Sequence, residues 1–196
     1  MTFDIRVKKF LPTALLALTC VLPSHAAEVS GIKIDDTATL AGKELKLNGA
    51  GMRVKFVVKV YAMGLYLSEK KSTPAEVLAL AGPKRVSLTM VREVNSDELG
   101  QLFVTAMNAN SDKAEMARYV NQTVKFGEMF ASLDKVKKGD VVTLDWIPGA
   151  GTVSSVNGKP LGDTMPEAGF YSAILRIWLG DHPADSSLKP LLLGGK

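Results

Sequence analysis

The sequence predicts an α+β domain, a mainly antiparallel sheet covered by helices on one face. Three observations carry that expectation. Short alternating runs broken by Gly and Asp fill residues 28–51. Apolar residues recur at helical spacing through 95–133 and again through 165–180. The order along the chain is strands, a helix, a strand, helices, strands, a helix, with no repeat, linker or second domain.

The elements follow in order. Arg6, Lys8 and Lys9 make a basic start, "FLPTALLALTCVL" a short apolar core, and Ser24 and Ala26 are small residues at −3 and −1 of a cut after Ala26. Residues 1–26 therefore read as a secretory signal peptide, too short to span a bilayer comfortably. A retained anchor is the weaker alternative. A lipoprotein site at Cys20 lacks Leu at −3 and has Thr at −1. The product is then one domain, residues 27–196, periplasmic or secreted, with no stable membrane anchor after cleavage. Cys20 is the only cysteine and leaves with the leader, so the product has neither disulfide nor thiol chemistry. Loss of Asp4 and the three basic residues lowers the formal charge from +4 to +2. With no basic block interleaved with aromatics, nucleic acid is not an expected partner. The Lys-rich "KKSTP" and "DKVKKGD" read as solvated turns.

"EVSGIKIDDTATLAGKELKLNGAG" reads as two or three strands, and residues 53–67 as a further strand. "STPAEVLALAG" is a short helix with Ser72 or Thr73 as cap, Pro74 in its first turn and Gly82 at its stop. "KRVSLTMVREV" alternates, with Val86, Leu88 and Met90 on one side. In "NSDELGQLFVTAMNAN" a polar cap and acidic first turn precede Leu99, Leu102, Phe103, Ala106 and Met107 at helical spacing. The next helix places Met116, Tyr119, Val120, Val124 and the Met129/Phe130 pair near one face, with Gly127 as a break. "DVVTLDWIP" and "GTVSSVNGKPL" are strands, with Asn157-Gly158 as a hairpin turn. "MPEAGFYSAILRIWLG" is a last long helix from Pro166 to Gly180, and "ADSSLKPLLLGG" adds a turn of helix.

Most catalytic chemistries lack their residues. Beyond the leader His182 is the single histidine, in a loop, and no strand-turn-helix GxSxG supplies a serine nucleophile. No His/Cys cluster offers a zinc site, and no cofactor is implied. "NGAGMR" and "PGAGT" are each followed by a strand rather than a helix N-terminus, so both read as turns and not phosphate loops. Asp35-Asp36 and Asp181/Asp185 read as turn-solvating acids, Trp146 and Trp178 as core or pocket wall.

Two stretches carry a resemblance. "GAGMRVKFVVKVYAMGLYL" resembles the glycine–arginine strand and following strand of the chalcone isomerase fold. "NGKPLGDTMPEAGFYSAILRIWLGD" resembles the end of bacterial chalcone isomerase-like proteins, and element order agrees over most of residues 28–193. The resemblance implies an open-faced β-sandwich of chalcone isomerase type, with a ligand cleft between sheet and helices. It places Arg53 at an arginine that faces the ligand in plant isomerases and in related fatty-acid binders. Tyr61 falls where plant isomerases carry a ligand-contacting threonine and fatty-acid binders a tyrosine. Counting from Thr89-Met90, the isomerase Tyr and Asn positions hold Leu99 and Ala106, and Leu102 stands at a family lysine.

Arg offers a planar charged fork that matches a carboxylate, and a Tyr hydroxyl adds a donor. The first expectation is thus a non-catalytic binding protein for a fatty acid or similar amphipathic carboxylate, held by Arg53 and Tyr61. The second is an isomerase or intramolecular lyase acting on a small phenolic or enone. The third is an accessory protein with a vestigial cleft. One difficulty stands against a shared ligand. If 53–67 is one straight strand, Arg53 and Tyr61 share a face but lie ~26 Å apart. A turn between them would be needed, and "VKFVVKV" has no Gly or Pro to make one. The bland alternative is an edge-of-sheet Arg53 and a core Tyr61.

Overall fold

The computed structural model describes residues 26–195. Its elements are β1 (Ala26–Val29), β2 (Ile32–Asp35), β3 (Thr37–Leu40), β4 (Lys43–Lys55), β5 (Val58–Leu67), α1 (Pro74–Ala79), β6 (Lys84–Met90), β7 (Val94–Asn95), α2 (Ser96–Ala109), α3 (Lys113–Arg118), α4 (Val120–Ala131), β8 (Lys135–Val136), β9 (Val141–Ile147), β10 (Gly151–Val156), β11 (Lys159–Pro160), α5 (Ala168–Leu179) and α6 (Leu188–Leu192). Seven strands form one antiparallel sheet in the order β11-β10-β9-β6-β5-β4-β3. β1–β2 and β7–β8 are separate two-stranded ribbons.

Strand parity sorts the two faces of this sheet. On β5, Tyr61, Met63, Leu65 and Leu67 enter a large core shared with α2, α4 and α5. Ala62 and Tyr66 enter a second, smaller core with Ile34, Leu40, Leu45 and Leu47. The short β1–β2 ribbon supplies Ile34 to that second layer, while the main helices occupy the first. Under the helices, Phe103, Phe126, Phe130 and Trp178 form a chain of mostly edge-to-face rings, a geometry that aromatic quadrupoles favour.

Several local expectations hold. Thr73 caps α1 in a reciprocal box with Glu76. Asn157 and Gly158 both have positive φ, at 52° and 76°, and turn β10 into β11. Three expectations are corrected. The segment 53–67 is not one strand: β4 ends at Lys55, Phe56 and Val57 turn, and β5 returns. "NGAGMR" is not a turn but the middle of β4, where Gly49 and Gly51 let α6 approach; a Cβ on Gly51 would lie 2.7 Å from a Leu188 methyl. The helix expected across Gly127 breaks instead at Tyr119, between α3 and α4. Tyr119 packs edge-on to Phe170 there, while Met116, Val120 and Val124 face solvent and Phe126, Met129 and Phe130 are buried.

Candidate functional site

The turn at Phe56–Val57 removes the distance difficulty. Arg53 on β4 is the direct cross-strand partner of Tyr61 on β5, so their backbones lie ~5 Å apart instead of ~26 Å. A register shift between Arg53 and Val54 leaves Val60 as the extra residue of a bulge. Bulges re-aim neighbouring side chains and recur beside functional sites.

Tyr61 is buried, and its hydroxyl accepts a 2.8 Å hydrogen bond from Trp178 Nε1 of α5. Burial pushes its pKa up to about 12, against the hydrogen bond from Trp178 and the charge of the nearby Arg53 guanidinium. The phenol is therefore neutral and keeps its proton. Trp and Arg side chains are donors only. Among the described residues the Tyr61 O–H has no acceptor.

Arg53 is half-buried. One guanidinium nitrogen donates to its neighbour's carbonyl, Val54 O, at 3.0 Å. Among the described residues no carboxylate lies within 4.0 Å of it. The nearby Asp185 is otherwise engaged, accepting from Val54 N at 2.9 Å and from Ser187 Oγ, Ser187 N and Leu188 N. Burial opposes its ionisation, but those donors outweigh it and its pKa is lowered. Asp185 is thus a structural acceptor joining the α6 entrance to β4, not a turn-solvating acid.

Arg53 and Tyr61 border a cavity of about 390 Å³ between the sheet and α2, within the usual range of small-molecule pockets. Leu99, Leu102, Phe103 and Ala106 of α2 form its apolar wall. All five positions singled out by the resemblance therefore meet at one cavity. Leu102, 44% exposed, is an apolar side chain with open space beside it. Polar side chains reach the cavity mainly from its exposed side. Asn95 there is committed to capping α2 through Glu98 N, and Glu93 pairs with Lys135 at 2.8 Å. His182 is exposed and takes no part in the lining.

Sequence reasoning missed the partnership of Trp178 with Tyr61, and the placement of Lys55 and Arg92 at the cavity's exposed side. Trp178 was legible only as core or pocket wall, because its partner lies 117 residues away.

Comparison with known proteins agrees with this architecture. A family model described as chalcone isomerase-like matches residues 26–194. Among solved structures, the fatty-acid binding protein of Arabidopsis thaliana is similar with a TM-score of 0.68 at 16% identity, over 84% of this chain and 93% of that one. No curated protein matches the sequence.

Proposed function

Because the chain belongs to the chalcone isomerase-like family and has its α+β fold, we propose that it is an exported, non-catalytic binding protein for a fatty acid or similar amphipathic carboxylate. The carboxylate sits against Arg53 and Tyr61, and the acyl chain lies along Leu99, Leu102 and Ala106. The observation that carries this reading is a donor-only corner in a cavity with an apolar wall. The guanidinium has no ion-pair partner among the described residues, and the Tyr61 O–H has no acceptor. A carboxylate supplies acceptors to both, and apolar burial adds ~0.8 kcal/mol per methylene. The ligand class also has support from the Arabidopsis protein of this fold, which is named for fatty-acid binding.

Titration calorimetry with a long-chain fatty acid tests the reading. Arg53→Ala should weaken binding by ~1.5–3 kcal/mol, the worth of a hydrogen bond to a charged group. Arg53→Lys should not restore it, since an ammonium lacks the planar fork. Tyr61→Phe should lose ~0.5–1.5 kcal/mol in affinity. It should also lower the melting temperature, because Trp178 Nε1 is left without its acceptor. Unchanged affinity in Arg53→Ala would return the arginine to an edge-of-sheet role.

The isomerase reading has less support. Cyclising a chalcone needs polar groups placed to activate a phenol and stabilise developing charge, and α2 presents Leu99 and Ala106 to the cavity. Chalcone cyclisation is expected at the buffer rate. Saturable turnover that vanishes in Arg53→Ala would overturn the binder in favour of the isomerase.

A further inference from the structure

The turn between β4 and β5 is built in a way that folding does not require. Phe56 has φ of +57°, a backbone region in which a bulky side chain is an outlier and where Asn or Gly sits at little cost. The residue is 93% exposed, and Val57 is 91% exposed. Val58, at 40%, extends the apolar tip down one strand. Neither Phe56 nor Val57 packs against either core. An observed strain of this kind, spent on exposing two apolar side chains, points towards function.

The tip has a basic collar. Lys55 and Lys59 flank it on the two strands, both exposed, with no carboxylate within 4.0 Å among the described residues. Lys55 and Arg92 also line the cavity. The acids on that side are Glu93, already paired with Lys135, Glu98, and Asp185, which accepts from Val54 N and from Ser187 and Leu188.

The geometry points to this hairpin tip as a docking element for the surface of an anionic phospholipid bilayer. Phe56 and Val57 enter the boundary between headgroups and acyl chains, and Lys55 and Lys59 meet the lipid charge. A convex tip of two residues is far smaller than the ~800 Å² per partner of a stable protein interface. A fluid bilayer closes around such a tip, and apolar burial combined with basic flanks is what interfacial binding rewards. The tip begins three residues after Arg53 in sequence, so a docked hairpin brings the cavity to the lipid. This last step, loading of an acid from the bilayer, rests on the carboxylate reading of the cavity; docking does not.

Tryptophan fluorescence of the full chain carrying Phe56→Trp tests the proposal, read against the unsubstituted chain because Trp146 and Trp178 are common to both. Vesicles of phosphatidylglycerol and phosphatidylcholine should shift its emission to the blue, and brominated acyl chains should quench it. Phosphatidylcholine vesicles alone should do so weakly. Lys59→Gln should lower vesicle affinity roughly fivefold, the effect of one basic residue at a charged surface. The double change Phe56→Ser, Val57→Ser should lower it roughly tenfold or more through lost apolar burial. Residues 1–25 are the same in every variant, so the differences report the tip. Binding of a long-chain fatty acid by the double variant in vesicle-free buffer should match that of the unsubstituted chain. Loss of acid binding in all chains with the vesicle response intact would sink the cavity reading and leave docking standing. An emission unmoved by anionic vesicles at low salt overturns the proposal. So does a blue shift that grows with protein concentration without vesicles, which would mark a second copy on the tip.

Discussion

Lys84 on β6 is buried at 4% exposure opposite Trp146 of β9. Its ammonium donates to Leu78 O at 3.2 Å, and among the described residues no carboxylate lies within 4.0 Å. Burial lowers its pKa to about 8. The folded pKa is thus below the unfolded value of ~10.4. Between the two the unfolded chain binds more protons, so the contribution of Lys84 to stability rises as pH increases from about 8 to 10. Lys84→Met keeps an unbranched apolar stem and removes the buried charge. It should stabilise the protein at pH 7 by ~1–2 kcal/mol, the scale of an incompletely satisfied buried polar group. Thermal melts should show a gain that shrinks towards pH 10; an equal gain at both pH values would mean that the charge is not its cause. Arg53 and Tyr61, in contrast, were legible as residue types, since a fork and a phenol have few reasons to interrupt an apolar run. Their adjacency was not, because the residue that makes it possible is Phe56 in a left-handed conformation. One signal was available. An apolar run of 15 residues exceeds the usual strand of 3–10, and Lys55 and Lys59 bracket the point where it turns.

At the scale of elements, α6 is held to β4 by residues that read as a glycine-rich turn. Asn48, 4% exposed, donates to Lys71 O and Leu192 O and accepts from Lys71 N. A Cβ on Gly49 would fall against the backbone of Leu191 and Leu192, which cannot swing aside like a side chain. Gly49→Ala should therefore destabilise the protein by ~1–3 kcal/mol through overpacking. Hydrogen exchange at Leu188–Leu192 should speed up at the same time. An unchanged melt with unchanged exchange would show that α6 is not seated on β4. Glycine spacing alone does not distinguish a turn from a strand over which a distant helix passes, so this contact between residues about 140 apart was not legible. The break at Tyr119 escaped for a related reason. Periodicity placed Met116, Val120 and Val124 with the core, whereas α3 ends at Tyr119, whose ring packs on Phe170 of α5, and α4 buries Phe126, Met129 and Phe130 instead.

For the whole molecule, the sequence-level order of strands and helices matches the chain because each element depends on its own periodicity: two for β6, with Lys84, Val86, Leu88 and Met90 buried, and 3.6 for α2, with Leu99, Phe103 and Met107 buried. What periodicity does not carry is the distribution of cover over the sheet, two-sided on β5 and provided by a thin ribbon on one face. That ribbon begins where the expected leader ends, and this bears on export. β1 pairs with β2 through Ala26↔Asp35, Ala27↔Ile34, Glu28↔Lys33 and Val29↔Ile32. A cut after Ala26 removes one terminal pair and leaves three, including the partner of Ile34, which is buried in the second core. A cut a few residues further on, after Val29, would remove the whole strand and uncover that core. Residues 1–25 of the expected leader lie outside the described residues, and two features favour a cut after Ala26: Ser24 and Ala26 as small residues before it, and an intact ribbon after it. N-terminal sequencing of protein recovered from the cell envelope or medium should begin at Ala27. Recovery of a chain that still begins at Met1 in the membrane fraction would replace the exported binder with an anchored one.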